Sequence, residues 1–143
     1  MLSSASKHAI LILQYLSRLE ENVFCPVSDI AEAAKAPAPY LSKLVKELVW
    51  LGLIESKRGV GGGVRLAATS RNLSLFQVCN AMKDPLVKSE CVLRNKPCDP
   101  KNPCAFHHNY KETRENLFTF LNNATIGDKE SQLKKKGSLS ITS

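Results

Sequence analysis

The chain lacks the features of a membrane protein. No apolar run approaches the roughly 18 residues that a membrane-spanning helix needs. A signal peptide is not expected either, because Lys7 and His8 interrupt the N-terminal region and the apolar stretch Ala9–Leu13 is too short. We therefore expect a cytoplasmic protein with no membrane partner.

Catalytic machinery and internal repeats are also missing. We find no set of nucleophile, base and acid of the kind that hydrolytic enzymes use, so an enzyme is not expected. The chain of 143 residues is long enough for one domain with a buried core. Its content of 43% hydrophobic and 23% charged residues is that of an ordinary globular protein.

Acidic residues are in the minority. Asp and Glu number 13 against 20 Lys and Arg, which gives a formal net charge of +7 and a pI of about 9.3. Such an excess of positive charge favours a polyanionic partner such as DNA. Basicity alone does not identify DNA, because many ribosomal proteins share it.

The N-terminal half contains three segments with the apolar spacing of helices. They cover residues 4–19, Val27–Ala34 and about 38–51, and a tight turn at 35–39 separates the last two. Gly52 follows the third segment, where a left-handed C-terminal cap is favoured.

A hairpin follows these helices. Residues 53–57 alternate like a strand, residues 58–63 form a glycine-rich turn, and residues 64–67 return as a second strand. Two short helices at a tight turn, followed by a glycine-rich hairpin, predict a winged helix-turn-helix. The expected fold is therefore mainly α with a small β-hairpin wing.

The C-terminal half predicts a short helix at Ser74–Ala81, an irregular loop over 83–103 and a final long helix. Asn102 is expected to cap the long helix and Pro103 to take its first position. Within it a narrow seam recurs every three or four residues, at Phe106, Tyr110, Thr113, Leu117, Leu121 and Ala124. This seam resembles a coiled-coil stripe and predicts pairing with another helix.

Four segments follow from these patterns. They are a winged helix-turn-helix for DNA binding over 1–82, a cysteine loop for cluster binding over 83–104, a dimerisation helix over 105–124 and a disordered basic tail over 125–143.

The third predicted helix and the wing carry the candidate DNA contacts. Small or polar side chains at the start of a recognition helix reach base edges, and flanking cations hold phosphates. Wing glycines let the backbone approach the duplex, and a wing arginine can enter the minor groove. The candidates are Pro39, Tyr40, Ser42, Lys43, Lys46, Arg58, Gly61 and Arg65. Each alone also fits a solvated surface, and the ordered combination is the more specific signal.

Three cysteines form the densest group of metal-ligating side chains. Six residues separate Cys91 from Cys98, five separate Cys98 from Cys104, and His107 and His108 follow. In a cytosolic protein this clustering indicates metal or redox chemistry rather than disulfides. Three thiolates with one further ligand suit either an iron–sulfur cluster or tetrahedral zinc, and three thiols without any ligand are the remaining alternative.

The fourth ligand is expected among the histidines. On a helix that begins at Pro103, Cys104 and His107 face one point, and the helix N-terminus favours the Cys104 thiolate. His108 is the next candidate, and His8 of a partner subunit is the last. Cys25 and Cys79 stand in or beside apolar patterns, so we expect both to be small buried hydrophobic residues.

The order of these features resembles a family of winged-helix regulators that includes the iron–sulfur regulator IscR and the nitric-oxide sensor NsrR. The resemblance covers residues 2 to about 124. It is most specific at Tyr40-Leu41, at Leu51-Gly52-Leu53-Ile54, in the wing Arg58–Gly63 and in three cysteines that precede a long helix. Members of this family are homodimers that bind palindromic promoter DNA. They carry a 2Fe–2S or 4Fe–4S cluster whose state changes the affinity for DNA.

The resemblance implies that Cys91, Cys98 and Cys104 hold such a cluster and that His107 matches the histidine ligand of the IscR branch. The first cysteine gap is one residue longer than in the two named relatives, which leaves both cluster types open. We expect a dimeric DNA-binding regulator, a repressor, that senses iron, nitric oxide or redox state. A zinc- or thiol-based regulator with the same DNA role and an iron–sulfur electron-transfer protein are the alternatives.

Overall fold

The computed structural model describes residues 1–128, and these form a helix-turn-helix, a two-stranded wing and a long final helix. Two 3-10 turns, at Ala68–Asn72 and Pro85–Val87, lie between the larger elements. In chain order those elements are α1 (Ser4–Ser17), α2 (Val27–Ala34), α3 (Ala38–Trp50), β1 (Ile54–Lys57), β2 (Gly63–Leu66), α4 (Leu75–Ala81) and α5 (His107–Asn123). The predicted fold class is confirmed.

Helix α1 is the central element of the core. The Ser3 side chain caps it by accepting a hydrogen bond from the Ser6 backbone N–H at 3.1 Å. Its apolar stripe, which includes Ile12 and Leu13, is almost completely buried. Because α2, α3 and α4 all pack against α1, this one stripe holds the DNA-binding half together.

The turn between α2 and α3 fixes which face of α3 points outward. Lys35 ends α2 in a left-handed conformation with φ of 51°, and Gly52 follows α3 with φ of 75°. Leu41, Leu44, Val45 and Leu48 are buried on the inner side of α3. The opposite face of α3 therefore points away from the core.

The wing is attached to the body through its second strand. β1 and β2 pair antiparallel, with Ile54 opposite Leu66 and Lys57 opposite Gly63. Backbone hydrogen bonds of 2.7 and 2.8 Å also join Cys25 to Val64, so the connection between α1 and α2 extends the small sheet. The base of the wing is thus fixed, while its tip projects from the body.

Helix α5 begins at His107, so the prediction of a start at Asn102–Pro103 is wrong. The Asp99 carboxylate accepts from the Lys101 backbone N–H at 2.9 Å, which organises residues 99–102 as a separate turn. The Asn102 carbonyl accepts from Arg94 at 3.0 Å instead of leading into a helix. Cys104 therefore precedes α5 rather than lying on its first turn.

Some residues of the apolar seam predicted on α5 pack against the core of the same subunit. Leu121 is buried and Leu117 packs against the core, while Phe118 meets Phe76 of α4 edge to face at 5.1 Å. The outer apolar stripe continues instead at Phe120, which is 60% exposed and follows Thr113 by seven residues. One flank of α5 thus binds its own domain and another faces outward.

The first residues assigned to the basic tail belong to the folded unit. Ile126 is buried, and its N–H donates to the Leu73 carbonyl at 2.9 Å. Gly127 donates to the Arg71 carbonyl at 3.0 Å. The expectation of disorder was therefore wrong for 125–128, and for 129–143 it lies outside the described residues. Within residues 1–128, no helix has the length and apolarity to cross a membrane.

Candidate functional site

The outer face of α3 carries most of the candidate DNA contacts. Pro39, Tyr40, Lys43 and Lys46 are exposed, and Ser42 is half-buried. These residues lie along one continuous helix surface, since spacings of three and four residues place side chains on the same face. The surface is convex, projects from the core and carries two lysines, as insertion into a groove requires.

The start of α3 is tied to α1 by a ring contact. Tyr40 Oη lies 3.0 Å from His8 Nδ1, and the two rings meet edge to face with centroids 5.3 Å apart. The same His8 nitrogen lies 2.9 Å from the Ser4 carbonyl, and partial burial raises the pKa of the Tyr40 phenol. Within one subunit His8 thus belongs to the α3 surface and not to the cysteine loop.

The two wing arginines have different surroundings. Arg58 is exposed at the wing tip, next to the glycine-rich turn. Arg65 lies at the base, where its guanidinium donates to Glu55 at 2.8 Å and to Asn22 at 3.1 Å and stacks over the Phe24 ring at 4.6 Å. Arg65 therefore braces the wing against the body, which sequence spacing did not indicate.

Glycines shape the wing tip. Gly61 has a φ of 72° and open space around it, while Gly62 donates to the Gly59 carbonyl at 3.0 Å to close the turn. A side chain on Gly62 would collide with the Lys57 carbonyl. The tip is consequently narrow, and Arg58, Val60 and Gly61 are exposed there.

The cysteine loop contains a small hairpin. Glu90 and Pro97 form an isolated antiparallel bridge, flanked by hydrogen bonds from Cys91 N–H to the Lys96 carbonyl and from Cys98 N–H to the Ser89 carbonyl, each 2.9 Å. Cys91 and Cys98 thus stand on facing arms. Since alternate residues of an antiparallel pair share a face, the two cysteines project to the same side.

The Cys91 thiol lies beside the Cys104 thiol. Backbone N–H groups of Leu93 and Arg94, together with the Cys104 thiol and the charge of Arg94, lower the pKa of Cys91 despite some opposing desolvation. A lowered pKa raises the thiolate fraction, which is the form that binds metals and reacts. This pairing joins the two ends of the cysteine loop.

Cys98 has a different neighbour. Its sulfur accepts a hydrogen bond from Arg114 Nη1 at 3.2 Å, and the Arg114 guanidinium lies over the Tyr110 ring at 5.7 Å. Arg114 was missed by the sequence analysis because its place on α5 gives no local signal of a cysteine partner. The contact links the loop to α5.

The donor set fits a metal centre in type, but its members are not assembled around one point. Among residues 1–128, no three His, Cys, Asp or Glu side chains are placed to hold a metal ion together. His107 is buried and its ring meets that of His108 edge to face at 5.3 Å. Cys104 lies before α5 rather than on its first turn, so that part of the prediction is wrong, but the His107 N–H donates to the Cys104 carbonyl at 3.1 Å and a turn connects the two residues.

The remaining cysteines are buried in the core, as predicted. Burial raises the pKa of Cys25, and it raises the pKa of Cys79 to about 11. Both are therefore protonated and unreactive at neutral pH.

A buried carboxylate connects the cysteine loop to α1. Asp84 is 1% exposed and accepts from the backbone N–H groups of Ser3 and Leu86, each at 2.9 Å. Burial acts to raise the pKa of Asp84, but hydrogen bonds from Ser6, Leu86 and Ser3 hold it below the ordinary value. Local sequence spacing does not mark Asp84 as a link to α1, since Ser3 lies 81 residues away in the chain.

Comparison with known proteins gives a consistent result. A family model described as "Rrf2: Iron-dependent Transcriptional regulator" matches residues 2–129. The chain is 29% identical, over 88% of its length and 88% of the relative's, to a protein of Aquifex aeolicus described as an HTH-type transcriptional regulator. It is 28% identical to the HTH-type transcriptional regulator IscR of Vibrio vulnificus, over 89% of this chain and 75% of that one.

Solved structures share the fold at low sequence identity. The global cysteine regulator CymR of B. subtilis superimposes with a TM-score of 0.75 at 18% identity, over 94% of this chain and 98% of that one. The T. potens IscR structure gives a TM-score of 0.70 at 19% identity, over 95% and 93%. These similar proteins are transcriptional regulators rather than enzymes.

Proposed function

Because the chain belongs to the Rrf2 family of transcriptional regulators, we propose that it represses transcription in the cytoplasm by binding promoter DNA as a homodimer. In this proposal an iron–sulfur cluster on the cysteine loop sets the affinity for DNA. The observation that carries the DNA-binding part is the convex, lysine-bearing outer face of α3 beside an exposed glycine-rich wing.

The proposed DNA contacts divide between α3 and the wing. Tyr40 and Ser42 reach base edges in the major groove, Pro39 packs against a thymine methyl group, and Lys43 and Lys46 hold phosphates. Arg58 enters the minor groove from the wing tip, where the Gly61 backbone approaches the duplex. Arg65 supports these contacts indirectly by holding the base of the wing.

The outward flank of α5 is the proposed dimer interface. Phe106 and Phe120 are 55% and 60% exposed, and Thr113 stands midway between them at intervals of seven residues. A stripe with this period suits helix pairing. A twofold dimer places two α3 helices about one DNA turn apart, as palindromic half-sites require.

The proposed cluster ligands are Cys91, Cys98 and Cys104, with His107 as the fourth ligand and His108 or His8 of a partner subunit as less favoured choices. Support comes from the donor chemistry: three half-buried cysteines, one with a lowered pKa, within one short segment. A 2Fe–2S or 4Fe–4S cluster held there supplies redox and ligand-exchange chemistry, which suits a sensor of iron, nitric oxide or redox state.

The chain's own contacts provide a route from the cysteines to DNA. Drawing the Cys98 sulfur towards Cys91 and Cys104 requires it to leave Arg114, which frees that guanidinium on α5. At the other end of the loop, Asp84 holds the start of α1, and α1 holds Tyr40 through His8. A change at the cysteines is thereby transmitted to both the dimer helix and the recognition helix.

The test is anaerobic purification of the full chain, with iron and sulfide analysis, visible absorbance and gel shifts on DNA. We expect a coloured protein, and Cys98→Ala should lose the colour and change DNA affinity about tenfold or more. Cys25→Ala removes a thiol outside the loop and should keep the cluster. A colourless, iron-free wild type with full DNA affinity would exclude the cluster and leave the regulator intact.

A thiol-based regulator is the second candidate, favoured by the contact between Cys91 and Cys104 and by the lowered pKa of Cys91. It predicts metal-free protein in which a mild oxidant joins these two thiols reversibly. Metal analysis separates it from a zinc regulator. An iron–sulfur electron carrier, in contrast, predicts no salt-dependent DNA binding.

A further inference from the structure

Trp50 is an unexplained feature of the α3 surface. It is the last residue of α3, its side chain is 84% exposed, and it is the only tryptophan in the chain. An indole combines a large flat apolar area with a single N–H donor. Such side chains are enriched where one protein surface binds a partner.

Trp50 lies on the face of α3 that also carries Lys43 and Lys46. The three residues are separated by three and four positions, which aligns them along one stripe of a helix. The buried residues Leu41 and Leu48 lie on the opposite side. Glu47 is also exposed at the edge of this stripe, so the face carries two positive charges and one negative charge around the indole.

The position of Trp50 along the helix defines what it meets on DNA. With a rise of about 1.5 Å per residue, it stands about 15 Å beyond Tyr40 along the axis. The major groove is only about 12 Å wide, and a recognition helix presents its N-terminal residues to the bases. The C-terminal end of α3 is therefore at the wall of the groove, which consists of deoxyribose and phosphate.

We propose that Trp50 contacts the DNA backbone, with its ring packed on deoxyribose and its Nε1–H donated to a phosphate oxygen. This inference rests on the proposed function, because it adds a contact to the same α3 surface. The neighbouring lysines make DNA the occupant rather than a second copy of the chain, since two such surfaces repel each other.

Fluorescence of the single tryptophan tests the contact without any substitution. The probe is a duplex that the full-length protein itself selects from a random-sequence pool, compared with a scrambled duplex of equal length. We expect saturating DNA to reduce quenching of Trp50 by acrylamide at least twofold, because the indole becomes covered. Quenching should not depend on protein concentration in the absence of DNA.

Substitution tests what the contact contributes. Trp50→Ala should weaken binding to the selected and the scrambled duplex alike, by about tenfold, which corresponds to about 1.4 kcal/mol. Trp50→Phe should recover part of this loss, since it keeps a ring but lacks the N–H. Lys46→Ala should lower the number of ions released on DNA binding, measured from the dependence of affinity on salt concentration, by about one. Trp50→Ala should leave this number unchanged. Val23→Ala is the control for an exposed apolar side chain elsewhere.

The outcomes separate the two proposals. If the wild-type protein binds DNA, but DNA does not change the quenching of Trp50 and Trp50→Ala binds DNA as tightly as the wild type, the Trp50 contact is overturned. The proposed regulator function is then unaffected. If quenching of Trp50 by acrylamide decreases as the protein concentration rises without DNA, Trp50 lies in a contact between copies of the chain. That result also overturns the proposed contact with DNA. A protein that selects no duplex at all overturns the proposed function and the contact together.

Discussion

Single side chains connect segments of this molecule that are far apart in the sequence. Asp84 sits at the start of the cysteine loop, yet it accepts the backbone N–H of Ser3, 81 residues away. A carboxylate at the N-terminal end of α1 also complements the helix dipole. Its burial is compensated by several donors, so the charge is retained at neutral pH.

Replacing Asp84 tests this bridge. Asp84→Asn keeps the size but loses the charge, and we expect the free energy of unfolding to fall by about 2 kcal/mol at pH 7. Because the folded-state pKa lies below the unfolded value, the Asp84 contribution is present above that value and disappears as pH falls through the folded pKa. Urea unfolding should therefore show the variant and wild type converging in acid.

Glu112→Gln is the matched control for Asp84, because it neutralises an exposed carboxylate on α5. It should change the free energy of unfolding by less than about 0.5 kcal/mol at any pH. An Asp84→Asn deficit that stays constant down to acid pH would contradict the buried charge.

At the scale of elements, the wing depends on its glycines for two different reasons. Gly63 has a φ of 142°, and a side chain there would collide with the Cys25 carbonyl. Gly61 has a φ of 72° but nothing close to it. Gly63 is needed because two backbones approach closely there, whereas Gly61 is needed because the turn has a positive φ.

The two glycines give a paired prediction. Gly61→Ala should cost about 1 kcal/mol of unfolding free energy, the cost of a left-handed conformation for a residue with a side chain. Gly63→Ala should cost at least twice as much, because it also breaks the hydrogen bonds between Cys25 and Val64. Urea unfolding of both variants measures the difference, and equal losses would show that the wing is not anchored at Cys25.

At the scale of the whole molecule, α5 packs one flank against its own domain and leaves another flank exposed. Phe118 binds Phe76 within the subunit, while Phe120, two residues further, is exposed. Two residues on a helix differ by about 200° in direction, so the two faces are nearly opposite. The proposed dimer therefore does not compete with the domain core.

Phe120→Lys tests the dimer. A charge at the C-terminal end of the outer stripe should weaken dimerisation at least tenfold while leaving the unfolding of the monomer nearly unchanged. Asn122→Lys, which adds the same charge on another flank of α5, should have little effect. Sedimentation equilibrium measures both variants, and a Phe120→Lys protein that stays dimeric would place the interface elsewhere.

The sequence by itself determined the helices, the wing and the outward face of α3. These features follow from short-range rules, since apolar spacing sets a helix face and glycine permits a turn, and both are visible within a window of a few residues. The burial of Cys25 and Cys79 followed in the same way from their apolar neighbours.

Tertiary structure decided the remaining features. Helix α5 starts at His107 rather than at Pro103, because hydrogen bonds hold residues 94–102 in turns. Arg65 lies at the base of the wing because it donates a hydrogen bond to Asn22, 43 residues away. The Cys98 sulfur accepts a hydrogen bond from Arg114 on α5. Each of these outcomes depends on which distant groups share a location. Local spacing holds no information about such groups, because only the packed chain brings them together.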